Sequence, residues 1–495
     1  RNANAINYPK SKNKISQISY KEDLTVIMGL SYQDFIRRKE VRFKPSGFAI
    51  EQDAINGKLF PFQKEIVRWA VGRGRACVFA GCGLGKTAIQ LECARQVVER
   101  EKVKCLIVAP LAVTAQTKRE GNRFGIDVNM CRSQDDVADG INITNYESLH
   151  KFDASQFGAV VLDESSILKS YMGKTKRQLV NDFSETPYRL CCTATPAPND
   201  LMELLNHAEF LGVMKSNEAL AIWFIADQSN SGHYILKGHA QKSFWEWVST
   251  WAVVMDRPSD MGYSDDGYIL PPLTEINDIV EVDTTVGRNN GELVREVKSS
   301  ATAYLTEKRY TMADRVKRCA DIANASDEQI VIWCYMNEES IALANAIENS
   351  REVRGSHTQE YKEQAAADFI DGKFKVLISK PSIFGFGLNF QQCATCIFCG
   401  LDYSFESYYQ AVRRFYRFGQ NRPVTVHRVI GATEFNILKT IEIKSNIRTD
   451  MNTSMATFMK TLERKKTDYF KTVDFTKQLF TMPKWLKSEE TIKSC

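Results

Sequence analysis

The 495-residue sequence contains no run of about eighteen apolar residues, so no segment is expected to span a membrane as a helix. Its first twenty residues are polar and basic with no apolar stretch, which is not the pattern of a secretory signal. The sequence opens on Arg1 rather than Met, as expected of a fragment or a processed chain. Strong charge of one sign is also missing: 65 Lys and Arg stand against 60 Asp and Glu, a net +5. Such a balance permits a basic groove without arguing for one. The 6 histidines show no metal-ligand spacing. Internal repeats, low-complexity tracts, a nuclease-like acid cluster and a methyltransferase signature are absent as well, so a second chemistry is expected on a partner or on sequence outside this chain.

What is present is an ordinary globular composition, 43% hydrophobic and 25% charged, in a chain too long for one core. The 13 cysteines are scattered through apolar runs and read as reduced, buried thiols of a cytoplasmic protein. Cys393, Cys396 and Cys399 have metal-like spacing, yet Cys396 and Cys399 lie within the apolar run Thr395–Cys399 and no fourth ligand is evident. Core packing is the expectation there.

Short apolar runs alternate with helical patterns in two blocks. The first holds strand candidates at Ala76–Ala80, Cys105–Ala109, Ile141–Thr144, Ala159–Leu162 and Arg189–Thr193. The second holds Ile330–Cys334, Lys375–Ile378, Thr395–Cys399 and Val424–Val429. This alternation predicts parallel, doubly wound α/β sheets, one per block, hence two lobes. The boundaries expected are a preamble at 1–55, a first lobe at 56–200, a mostly helical insertion and linker at 201–320, a second lobe at 321–455 and a basic aromatic tail at 456–495. Within the insertion, Phe244–Met255 reads as one helix-like stretch, and Trp245, Trp247 and Trp251 as core. The tail carries Tyr469, Phe470, Phe475, Phe480 and Trp485 among its basic residues. It suits a helix docked on the second lobe or a nucleic-acid-binding segment.

The strongest local signal is Ala80-Gly81-Cys82-Gly83-Leu84-Gly85-Lys86-Thr87, after a strand and before a helix. Gly83 and Gly85 let backbone N–H groups curl around phosphates at a positive helix end. Lys86 would reach the outer phosphates of ATP and Thr87 would ligate Mg²⁺. Downstream, Val160-Val161-Leu162 ends in Asp163-Glu164, which delivers two carboxylates to the sheet's C-terminal edge. Asp163 would hold Mg²⁺ and Glu164 would polarise the attacking water.

The order of these motifs resembles superfamily 2 helicases, in particular the Swi/Snf-like branch and its phage and bacterial relatives. Phe60-Pro61-Phe62-Gln63 looks like that family's adenine-recognising segment, with Gln63 at the base edge. Asp163-Glu164-Ser165-Ser166 occupies the place of its acidic box, departing in the last two residues. Gln410-Ala411-Val412-Arg413-Arg414-Phe415-Tyr416-Arg417-Phe418-Gly419-Gln420 resembles its arginine-finger motif. With Arg414 and Arg417 three apart, one helical face would present both to a γ-phosphate. Ser382, Gly385, Gly387, Leu388 and Asn389 match a loop touching nucleotide and track. Pro110, Thr144, Tyr146, Thr193 and Thr195 match positions that contact a phosphate backbone or link it to the ATP site.

The resemblance implies two RecA-like lobes that hydrolyse ATP with Mg²⁺ between them and bind nucleic acid, with duplex DNA favoured. It leaves open a strand-separating DNA or RNA helicase. It also leaves open a motor subunit of a phage, defence or restriction assembly, with a partner nuclease or methyltransferase.

Overall fold

The computed structural model describes residues 46–464 except 171, 229–232, 284, 286–300 and 385–388. Most of the preamble, the tail aromatics from Tyr469 onward, and Gly385, Gly387 and Leu388 therefore lie outside the described residues. Two all-parallel sheets dominate the remainder and fall in one compact unit.

The first sheet contains β1 (Arg75–Ala80), β2 (Cys105–Ala109), β3 (Asn129–Met130), β4 (Ile141–Asn145), β5 (Ala159–Asp163) and β6 (Tyr188–Thr193). After a small antiparallel hairpin of β7 (Phe224–Ala226) and β8 (Tyr234–Leu236), β9 (Ala252–Met255) returns to the sheet's edge. The order is β3-β4-β2-β5-β6-β1-β9. The second sheet is built from β10 (Leu273–Val280), β11 (Ile330–Trp333), β12 (Ser350–Val353), β13 (Val376–Ser379), β14 (Thr395–Cys399) and β15 (Val424–Gly431), ordered β10-β15-β14-β11-β13-β12. The inner strands are apolar at almost every position because helices cover both faces of a parallel sheet. β2 is buried throughout, as are β11, β13 and nearly all of β14.

The nine strand candidates all form strands, with edges shifted by one or two residues at most. Residues 201–320, expected as a mostly helical insertion and linker, are mainly helical where described, but they also supply an edge strand to each sheet. β9 pairs in parallel with β1, Ala80 opposite Met255. β10 pairs with β15 over eight residues, from Leu273 opposite Val424 to Val280 opposite Gly431. The helix Met312–Asn324 packs its buried Val316, Cys319 and Ala323 on the second sheet. Phe244–Met255 is correspondingly not one helix. The helix Gln241–Val248 stops and Ala252-Val253-Val254-Met255 runs on as β9, its β-branched pair favouring strand.

Trp245, Trp247 and Trp251 are buried, Trp247 stacking on Trp223 with ring centroids 4.4 Å apart. Cys393, Cys396 and Cys399 are fully buried, but they divide between two cores. Cys393 and Cys396 pack with Phe390 and Phe398, while Cys399 packs with Cys319 and Ile397. Cys396 and Cys399 are an odd number apart on one strand, so they point to opposite faces and do not converge.

Candidate nucleotide site between the lobes

Strands β5, β6 and β1 are neighbours, so three motif-bearing loops leave the same sheet edge side by side. In register, Asp163 faces Cys192 and Phe79 faces Thr193. The loop after β1 turns with Gly83 at φ 91° and Gly85 at φ 80°, conformations open to glycine and strained for other residues. Space imposes the same demand at Gly85, where a Cβ would stand 2.2 Å from Gln63 Nε2. The helix Lys86–Glu101 then begins, its N-terminus aimed at the loop.

Lys86 Nζ donates to the carbonyls of Ala80 at 3.0 Å and Gly81 at 3.4 Å. Burial works against its charge, but Cys82, Glu164 and Asp163 more than offset this and raise its pKa. Thr87 follows in the first helical turn, half-buried. Asp163 Oδ1 accepts from Gln90 Nε2 at 2.6 Å and from the Glu164 backbone N–H at 3.1 Å. Burial raises its pKa, against the pull of Gln90 and Lys86. Gln90 was not anticipated, although it lies four residues after Lys86 and so on the same helix face. Glu164 is left-handed at φ 49°, and its Oε2 accepts from Thr193 Oγ1 at 3.2 Å and Gln410 Nε2 at 3.4 Å. Burial pushes its carboxyl up to about 7, with Asp163 and Glu406 adding to the shift and Lys86 and Arg414 opposing it.

Gln63 sits behind the loop. Its Nε2 donates to Leu84 O at 3.0 Å and its Oε1 accepts from the Phe60 N–H at 2.9 Å. Both ends of the amide are engaged with backbone, so here Gln63 shapes the loop.

The second lobe approaches through the helix Phe405–Val412 and the turn that follows it. Gln410 is buried between the lobes; besides Glu164 it meets Cys82 Sγ at 3.8 Å and accepts from Arg414 Nη2 at 3.1 Å. Four residues earlier, Glu406 clasps the first lobe, bonding Ser166 Oγ and pairing with Lys169 Nζ at 2.6 Å. Phe418 N stands 3.1 Å from a Cβ built at Gly83, so the turn lies directly against the phosphate loop.

Arg414 and Arg417 do not share a helix face, because the helix ends at Val412. Arg414 Nε donates to Gln410 O at 3.1 Å, taking the acceptor that the Arg414 amide would use in a continued helix. The amide bonds Ala411 O instead, at 3.2 Å. Arg414 remains buried at the interface beside Glu164 and Cys82. Arg417 is half-buried and bonds Asn389 Oδ1, while its Nε has no partner. Arg413 lies over the Tyr409 and Tyr416 rings at 5.1 Å and 5.2 Å.

The residues matched to nucleic-acid contacts separate into two groups. Pro110 at the end of β2 is half-buried beside exposed Leu111, and Ser382 and Asn389 are exposed. Thr144, Thr193 and Thr195 are instead interior, since they lie on or just past strands buried on both faces, and none can touch a backbone in this arrangement. Tyr146 is turned inward too, its hydroxyl donating to Asp163 O at 2.7 Å. Tyr146 and Thr193 thus brace the acidic box, while Thr144 Oγ1 and Thr195 Oγ1 are buried without a partner.

Behind the box, Ser165 Oγ meets His207 Nε2 at 3.1 Å. Burial lowers the His207 pKa from 6.5 to about 4. Between these values the unfolded chain binds a proton that the folded chain refuses, so stability should fall as pH drops through this window. The expected loss is at most about 3 kcal/mol. Urea midpoints at pH 7 and pH 5 should converge in His207→Gln, and an unchanged difference would show that His207 carries none of the slope.

Against known proteins, residues 62–230 match the SNF2-related domain and residues 313–419 the helicase conserved C-terminal domain, together more than half of the chain. The chain is 23% identical over 433 residues to protein p41 of Acyrthosiphon pisum secondary endosymbiont phage 1, covering 75% of this chain and 92% of that protein. It is 27% identical over 164 residues to the bifunctional helicase and thymine dioxygenase JBP2 of Leishmania infantum, spanning 15% of that protein and 32% of this chain. Among solved structures, the SWI2/SNF2 ATPase core of Sulfolobus solfataricus in complex with dsDNA aligns with 83% of this chain and 96% of its own, at 18% identity and a TM-score of 0.41.

Proposed function

The chain belongs to the Swi/Snf-like branch of the superfamily 2 helicases and is a nucleic-acid-dependent ATPase, and from that premise we propose that it is a motor driven along duplex DNA. One observation carries the reading of the site. Gln410 of the second lobe reaches Glu164 and Cys82 of the first, so residues of both motif sets meet in one buried seam.

Lys86 and the N–H groups around Gly83 and Gly85 bind phosphates, and Arg414 with Arg417 adds positive charge from the opposite side. Thr87 and Asp163 would supply hard oxygen ligands suited to Mg²⁺, and both protein bonds to the Asp163 carboxylate fall on Oδ1, so the carboxylate keeps acceptor capacity for a cation. Bound there, Mg²⁺ supplies charge neutralisation at the phosphates. Glu164 takes the proton of the attacking water, its pKa near neutrality suiting a general base. Gln410, bonded to the same carboxylate, positions it only while the lobes are together. Closure therefore completes the site, and product release lets it open.

The track is held by phosphate contacts, for which Pro110, Ser382 and Asn389 are surface candidates. Such contacts carry little sequence information. Duplex DNA should stimulate ATP hydrolysis at least as well as single strands, with RNA a poor stimulator and base sequence nearly irrelevant. Stimulation should fall steeply as salt rises, through counterion release. Turnover measured with competing single- and double-stranded DNA and RNA tests this. RNA-dependent hydrolysis that ignores duplex DNA would sink the duplex preference and leave the two-lobed ATPase intact. A second reading, a motor subunit of a phage assembly, draws on the phage relative that the chain matches over nearly its full length.

A further inference from the structure

The long helix Phe435–Arg464 crosses from the second lobe to the first and delivers Arg448 to the nucleotide seam. Its guanidinium meets three separate elements. Nη2 pairs with Asp256 Oδ1 at 2.8 Å, Nε donates to Ala194 O at 3.4 Å, and the group lies 4.4 Å over the Tyr409 ring. Asp256 and Ala194 belong to the first lobe, whereas Tyr409 directly precedes Gln410 in the second. One turn on, Asn452 Nδ2 holds the other carboxylate oxygen of Asp256 at 2.6 Å.

The place of Asp256 gives these contacts a consequence. It follows β9, whose Met255 carbonyl accepts from the Gly81 N–H at 2.9 Å, and a Cβ at Gly81 would stand 3.3 Å from Asp256 Oδ1. A carboxylate therefore sits beside the first residue of the phosphate loop, where an anionic ligand is to bind. Left free, it would repel that ligand and compete for Lys86. Arg448 and Asn452 engage both of its oxygens.

We propose that Arg448 is a positioning residue of the ATP site, pinning Asp256 away from the phosphates and tying Ala194 and Asp256 to Tyr409 when the lobes close. The inference rests on the reading of this seam as the site of ATP hydrolysis. Arg448 acts from outside the Gln410–Gln420 stretch and links the nucleotide loop to the C-terminal helix. Ordering of that helix would thereby tune ATP affinity.

The test is steady-state ATP hydrolysis by the full chain with the polynucleotide that stimulates most, using wild type, K86A, R448A, R448Q and the doubles R448A/D256N and R448Q/D256N. Loss of Arg448 should raise KM for ATP about tenfold, the scale of one uncompensated charge at partly screened range, with a smaller fall in kcat. Asp256→Asn in the same background should recover most of the KM loss, which a simple packing defect would not allow. If R448A melts below the assay temperature, R448Q and its double carry the same comparison. A KM within twofold of wild type on losing Arg448, or a double variant no better than the single one, overturns the proposal. Hydrolysis surviving in K86A overturns the site reading itself; K86A inactive with R448A and R448Q unaffected overturns only the role of Arg448.

Discussion

Replacing Lys86 with alanine is expected to abolish ATP hydrolysis, the largest effect of any single change in this chain. Lys86 is the one cation of the phosphate loop, and its ammonium is held at the loop by the Ala80 and Gly81 carbonyls. Binding phosphates would shift those bonds onto the ligand. The arginines across the seam do not substitute for it, because they arrive on the other lobe and depend on closure. The variant should keep its fold, since the bonds lost are made to loop carbonyls and not to a strand or a core residue. Turnover near that of wild type in a variant with an unchanged melting temperature would falsify the assignment of this loop as the active site.

The second large effect is expected at Arg414 and Arg417, and the structure ranks the two. Arg414 is buried in the seam, oriented by Gln410 O and Gln410 Oε1, and electrostatically coupled to Glu164. Arg417 is half-buried and engaged with Asn389, with its Nε unpartnered. Arg414→Ala should cost turnover on the order of a thousandfold, the scale of other finger arginines, with ATP binding changed far less. Arg417→Ala should cost at least about tenfold, and it should also weaken the response to nucleic acid because Asn389 loses its partner. Single-turnover hydrolysis combined with equilibrium binding of a nonhydrolysable analogue separates the two quantities. A loss below about threefold in both variants would reduce them to interface packing.

The phosphate loop, the acidic pair and the nine strands were legible because each is a local pattern. Glycines before Lys-Thr, an apolar run ending in two acids, and four to six apolar residues in a row state their conformation without reference to distant chain. The arginine-finger stretch was legible as a motif, but its geometry was not. Helical spacing suggested one face for Arg414 and Arg417, and that spacing fails once Arg414 takes up the Gln410 carbonyl and ends the helix. Some of the residues matched to backbone contacts are interior for a similar reason. Whether Thr144, Thr193 and Thr195 face a surface or a core depends on what covers the sheet, and helices and neighbouring strands cover it on both sides.

By itself, then, the sequence carried the two α/β lobes and the local form of the loop after β1 and of the acidic turn after β5, since these follow from residue type and short-range spacing. Only the tertiary structure places β9 and β10 at the edges of the two sheets, lets Glu406 clasp Ser166 and Lys169, and brings Arg448 to Asp256 across 192 positions of chain. Edge strands, interlobe clasps and long-range ion pairs form between segments whose own sequences carry no mark of the partner. Their registry is set by how the sheets stack their neighbours and by which buried charges must find a counter-charge once water is excluded.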